Sequence, residues 1–170
     1  MTPAALHHNQ ELRDSCVAAC VRMLLLRSGG EDASEAGIRA RLGPHPISLA
    51  RARIFGTYRH LGIDDPAGIE VLLGIVKAGW CAVTVADGPA AAWAGRAGLT
   101  SPHGSLATLG PRARRLEEQA TGHHAIVLVE VAGDRVRYLD PWFSAPGQPV
   151  ETGLEDFVKW GWIGNALHLH

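Results

Sequence analysis

Four side chains in this sequence are of the types that together open acyl bonds. Cys16 stands where an apolar stretch begins, with Gln10 six residues before it. His124 opens a strand-like run far downstream, and Asp140 closes the next one. A cysteine in the first turn of a helix lies beside unpaired backbone N–H groups and the positive end of the helix dipole. That placement, with an imidazolium nearby, can lower a thiol pKa from about 8.5 into the range of about 3.5–7.5. An imidazole within about 2.6–3.2 Å can take the thiol proton. A carboxylate can hold the imidazole's tautomer and orientation. A side-chain amide joined to the Cys16 backbone N–H can receive an oxyanion, and losing one such donor typically lowers turnover ~10²–10³-fold.

Segments of definite type must hold these groups. Val17, Cys20, Val21, Leu24 and Leu25 recur at helical spacing and predict a helix over Cys16 to Arg27. Asp14 or Ser15 can cap it, and Ser28-Gly29-Gly30 ends it. A second, more exposed helix is expected over Glu31 to Leu42, stopped by Gly43-Pro44, and a third over Pro66 to Ala78. The stretch from His45 to Gly62 is ambiguous, with room for a short helix. Trp80 to Val85 is β-branched and bounded by Asp87-Gly88-Pro89. His124 to Val131 and Arg135 to Leu139 flank the turn Ala132-Gly133-Asp134 and read as a hairpin. Such a hairpin sets the start of one strand beside the end of the next, which brings His124 and Asp140 together. Ala166 to Leu169 suggests an edge strand. The segment from Ala90 to Gly122 has no strand pattern and reads as an insertion of one or two short helices and a loop. Helices first and an antiparallel sheet later give an α+β domain spanning residues 1–170.

Composition narrows the classes. The chain has 170 residues, 46% hydrophobic and 19% charged, with a formal net charge of −1, an ordinary globular balance that points to neither nucleic acid nor a charged membrane. Arg112, Arg114 and Arg115 are followed at once by Glu117 and Glu118, as on a solvated helix face. The start lacks an apolar signal region, and Cys16 to Leu26 is far shorter than the roughly 20 residues a membrane span takes, so a cytoplasmic protein is expected. Three cysteines without a CxxC pair do not make a disulfide framework, and Cys20 and Cys81 read as core residues. Nine histidines raise the thought of a metal, but His7-His8, His123-His124 and His168 with His170 lack the HExxH spacing, so no metal or cofactor is expected. Alternation does not decide between His123 and His124, because the residues after them are apolar on both faces.

These residues resemble the bacteriocin-processing peptidases, the papain-like domains usually fused to peptide-exporting ABC transporters. The resemblance is carried by Gln10, five residues, then Cys16 and the small-residue helix Val17-Ala18-Ala19-Cys20-Val21-Arg22-Met23. It continues in His124-Ala125-Ile126-Val127-Leu128, with Asp140-Pro141 sixteen residues on, and in Leu154 to Trp160, similar to the family's last amphipathic segment. It selects His124 over His123. It implies a papain-like fold and a cysteine peptidase that cleaves after a Gly-Gly-like pair in a leader peptide, with a precursor or exporter encoded nearby. The chain departs from the pattern at Val17, where the family has Gly, in the extra segment before His124, and in having no transporter attached. An acyltransferase or deamidase on the same residues, and a silent peptide-binding module, are the other functions this pattern admits.

Overall fold

The computed structural model describes residues 2–43, 48–106 and 122–169. It is a mixed helix and antiparallel-sheet structure, as the α+β reading expects. Six strands lie in the order β1-β6-β2-β3-β4-β5. They are β1 (Thr57–His60), β2 (Cys81–Ala86), β3 (His123–Ala132), β4 (Arg135–Leu139), β5 (Val150–Gly153) and β6 (Asn165–His168). Every pairing is antiparallel.

The helices cover both faces of this sheet. α1 (Cys16–Arg27) and α2 (Glu35–Leu42) share a core with Ala82, Ala125, Val127, Leu139 and Leu167. α3 (Pro66–Ala78) and α4 (Asp87–Arg96) share the other with Cys81, Val83, Val85, Ile126 and Leu128. The short α5 (Leu154–Asp156), which runs on as a π-helical turn over Phe157–Gly161, joins that second core through Phe157. Neighbouring residues of β2 and β3 therefore enter opposite cores. That is why their sequence is apolar without alternation.

Local chemistry sets the helix ends. Ser34 caps α2 by accepting the Gly37 N–H at 3.0 Å, so this helix starts at Glu35 rather than Glu31. Asp65 does the same for α3 from the Ala67 N–H at 3.0 Å, with Pro66 in the first turn. Ser15 occupies the cap position of α1 but makes no cap bond. Its hydroxyl bridges the Leu12 N–H and C=O, each at 3.0 Å, and closes the loop before the helix.

Four sequence expectations change. The ambiguous stretch before Gly62 holds a 3-10 turn at Leu49–Ile54 and the edge strand β1. β6 is interior, between β1 and β2, because Asn165 docks it by accepting the Thr84 N–H at 2.9 Å and reaching the Thr84 hydroxyl at 3.0 Å. Asp87-Gly88-Pro89 is the first turn of α4, not a loop, and the short helix expected after Ala90 begins at Asp87, with Ala90, Trp93 and Ala94 in the core. Trp93 stacks on Phe157, ring centres 5.9 Å apart. The basic run at Arg112, Arg114 and Arg115, Glu117, Glu118, Pro44 and His170 lie outside the described residues.

Candidate active site

The β3–β4 register brings two of the expected groups into contact. Val127 pairs with Leu139, so Asp140 leaves β4 beside the start of β3, where His124 pairs with Val85 of β2. The His124 ring donates from Nε2 to Asp140 Oδ1 at 2.6 Å. Both side chains are out of water, His124 being 3% exposed and Asp140 0%. The other ring nitrogen is left for the Cys16 thiol, which acts on the imidazole both as hydrogen-bond partner and as charge. Burial pushes the imidazole down, but Asp140 and then Cys16 outweigh it and lift the ring from 6.5 to about 10. Asp140 and Cys16 thus both favour the protonated form of the ring that lies between them. Cys16, partly exposed at the head of α1, can be reached from outside.

Cys20 and Cys81 belong to the core, as the sequence suggests. Both are fully buried, and burial pushes the Cys20 thiol well up and the Cys81 thiol up to about 12. Neither offers a thiolate near neutral pH. His123 is exposed at the strand start.

Gln10 is 2% exposed and sits in the loop before Cys16. Its amide donates to the Leu12 carbonyl at 2.7 Å and to the Arg13 carbonyl at 3.2 Å. Its Oε1 is buried without a partner. The side chain thus braces its own loop, and the longer bond is the one that can be exchanged. The Gln10 backbone is gripped from two sides. Its N–H donates to Pro141 O at 2.7 Å, and the His103 ring reaches its carbonyl at 2.7 Å.

Several residues that build this site carried no signal in the sequence. Gln148 works like an extra strand for Asp140: its Oε1 accepts the Asp140 N–H at 2.7 Å and its amide donates to Asp140 O at 2.9 Å. Asn9 donates to Pro141 O at 2.7 Å, and the His7 ring contacts Asp140 O at 2.9 Å, so the N-terminal arm is laced across the turn after β4. The Trp142 N–H gives Asp140 Oδ1 a second bond at 3.0 Å. The Trp142 ring lies 5.0 Å from that of His103 and under Arg13, and its indole N–H donates to Gly104 O at 2.9 Å. The segment from Ser101 to Gly104 is thereby strapped onto the loop before Cys16. Trp162, in contrast, is a core residue bonded to Asn165 O at 2.8 Å.

Glu35 reaches the same loop from α2. Its buried carboxylate accepts the Glu11 N–H at 3.0 and 3.2 Å and lies 3.4 Å from His8. Burial would raise it, yet His8, the Glu11 N–H and Ser15 together hold it below the usual carboxylate range. Asp87, at the head of α4, is a second buried carboxylate near His124; its Oδ1 has no partner. A turn-like Asp-Gly-Pro hid it in the sequence.

Among the described residues, no group of three or more His, Cys, Asp or Glu side chains is placed to hold a metal ion. No helix among them is long and apolar enough to cross a membrane. No protein-family model matches the chain, and no curated protein matches it in sequence.

Proposed function

We propose that this chain is a papain-like cysteine hydrolase that cleaves a peptide bond. The observation that carries the reading is the Cys16–His124–Asp140 relay, with a buried imidazole lifted to about 10. The Cys16 proton rests on His124, whose imidazolium form Asp140 stabilises, leaving Cys16 as the thiolate. The thiolate attacks the substrate carbonyl carbon and the carbonyl electrons move onto oxygen. The Cys16 N–H and Gln10, which exchanges its longer bond to Arg13 O, donate to that oxyanion. As the intermediate collapses, the C–N bond breaks and His124 protonates the leaving amine. Water, deprotonated by His124, then hydrolyses the thioester and restores the thiol.

Resemblance to the bacteriocin-processing peptidases makes a leader peptide ending in a Gly-Gly-like pair the first substrate to try, with a precursor or exporter gene beside this one as its natural source. Peptides with and without the pair, incubated with the full chain and resolved by mass spectrometry, test this. Cleavage after the pair is expected, with covalent iodoacetamide labelling at Cys16 ahead of Cys20 and Cys81. Activity surviving Cys16→Ala would refute the scheme. Added hydroxylamine or primary amines separate the outcomes: acyl transfer in preference to hydrolysis would identify a transferase.

One observation favours a second reading. Both Gln10 amide bonds go to its own loop, which suits a binding module that holds a peptide without cleaving it. Peptide retention without turnover, and no enhanced labelling of Cys16, would decide for it.

A further inference from the structure

The head of α4 holds a carboxylate that the scheme above does not use. Asp87 is 6% exposed, and its Oδ1 is shut from water with no hydrogen-bond partner among the described residues. A buried carboxylate without a counter-charge is costly. Among the described residues, the cation that acts on Asp87 is His124. The topology makes this so. Asp87 follows directly on Ala86, which pairs with His123, while Val85 pairs with His124. The carboxylate therefore leaves β2 at the end of the sheet where the imidazole stands.

The backbone ties the two more closely. The Asp87 N–H donates to Gly122 O at 3.1 Å, two residues before His124. The Asp87 carboxylate fills the space where a Cβ on residue 122 would stand, so a larger residue there would have to displace it. Its charge is favoured by the N–H groups of Gly88, Asp87 and Gly122, which sit at the positive end of α4. Burial nonetheless pushes it above the usual carboxylate range.

We propose that Asp87 is a positioning residue for His124: it anchors the start of β3 through Gly122 and serves, with Asp140, as a second counter-ion to the imidazolium. The inference rests on reading Cys16, His124 and Asp140 as the reacting group. Among the described residues, the titratable groups that act on the imidazole are then Asp140 at the end of β4, Cys16 at the head of α1 and Asp87 at the head of α4; Cys20, Tyr138 and His7 interact with Asp140. A negative charge at Asp87 favours proton retention by the ring. In a peptidase that needs an imidazolium to protonate the leaving amine, it extends activity toward alkaline pH.

The test is the titration of His124 by NMR in full-length protein labelled with ¹⁵N-histidine, its signals assigned by their loss in His124→Gln. Asp87→Asn keeps the shape and the backbone anchor but removes the charge. The expected result is a His124 midpoint about one pH unit lower, a tenfold loss of proton affinity, near the lower end of what a neighbouring opposite charge brings. The melting temperature should hold within a few degrees, and the alkaline limb of kcat/KM should fall with the midpoint. An unchanged midpoint in a folded variant overturns the inference. Should the variant not fold, the wild-type Asp87 carboxyl carbon reports instead: its ¹³C shift must respond as His124 loses its proton, and a flat trace there overturns the inference equally. Failure of the peptidase reading shows differently, as wild-type protein in which Cys16 has no enhanced reactivity and no peptide is cut. The His124 midpoint does not depend on either result.

Discussion

Asp140→Asn separates the charge of this carboxylate from its shape. The amide oxygen can still accept from His124 Nε2 and the Trp142 N–H, the two partners of Oδ1 at 2.6 and 3.0 Å. The larger of the two influences that raise the imidazole, the carboxylate charge, is gone. Raising that group from 6.5 to about 10 corresponds to about 5 kcal/mol in favour of the charged ring. In the wild type, this contribution to stability is complete below about pH 6.5 and is lost as pH rises toward 10. Between pH 6.5 and 9.5 the wild type should therefore lose about 3–4 kcal/mol of unfolding free energy, because the unfolded chain gives up the imidazole proton while the folded ring largely keeps it. In Asp140→Asn that slope should be much shallower, because the interactions with Cys16 that remain are the smaller ones. The variant should also be about 3 kcal/mol less stable than wild type at pH 6.5, the cost of breaking a buried pair, and about as stable at pH 10. Urea unfolding followed by tryptophan fluorescence measures it, since Trp142 adjoins Asp140 and is buried. Iodoacetamide labelling of Cys16 at pH 7 should slow at least tenfold in the same variant. Stability curves that run parallel across this pH range would refute the reasoning.

Three further changes test other parts of the structure. Tyr138→Phe removes a buried hydroxyl that has no partner and whose burial pushes its ionisation well up, so the variant should be equal in stability or up to about 1 kcal/mol more stable by thermal unfolding. Gly68→Ala drives a Cβ into the Leu61 carbonyl, a backbone atom with little room to yield, and should cost about 1–3 kcal/mol in the same assay. Glu35→Ala leaves the Glu11 N–H without its acceptor and His8 without its anion; a loss of about 3 kcal/mol is expected at pH 7. Because Glu35 is held below its ordinary value, its contribution is present at neutral pH and fades on acidification, so variant and wild type should converge toward pH 3 in urea titrations.

What the sequence disclosed follows from how local each feature is. α1 was legible because Val17, Val21 and Leu24 repeat over three turns, and the β3–β4 hairpin because two apolar runs flank Gly133-Asp134. The hairpin in turn places His124 against Asp140. β1 and β5 escaped notice, being four residues each with few apolar side chains; the sheet, not their own pattern, makes them strands. The start of α4 was misplaced because Asp87-Gly88-Pro89 looks like a turn when its Pro is in fact a helix-start residue. The groups that hold the site together were hidden for another reason. Gln148 on Asp140, Glu35 on Glu11 and His103 on Gln10 are single side-chain contacts between distant segments, and no short-range pattern announces them.

The lacing of the N-terminal arm across the turn after β4 has a consequence for the order of events during synthesis. His7 reaches Asp140 O across 133 positions, and Gln148 across 141 reaches His7. Cys16 thus emerges from a ribosome well before its imidazole, carboxylate and their clamp. At roughly 5–20 residues per second the interval lasts several seconds. Throughout it the thiol is without the imidazole and carboxylate that the proposed mechanism requires.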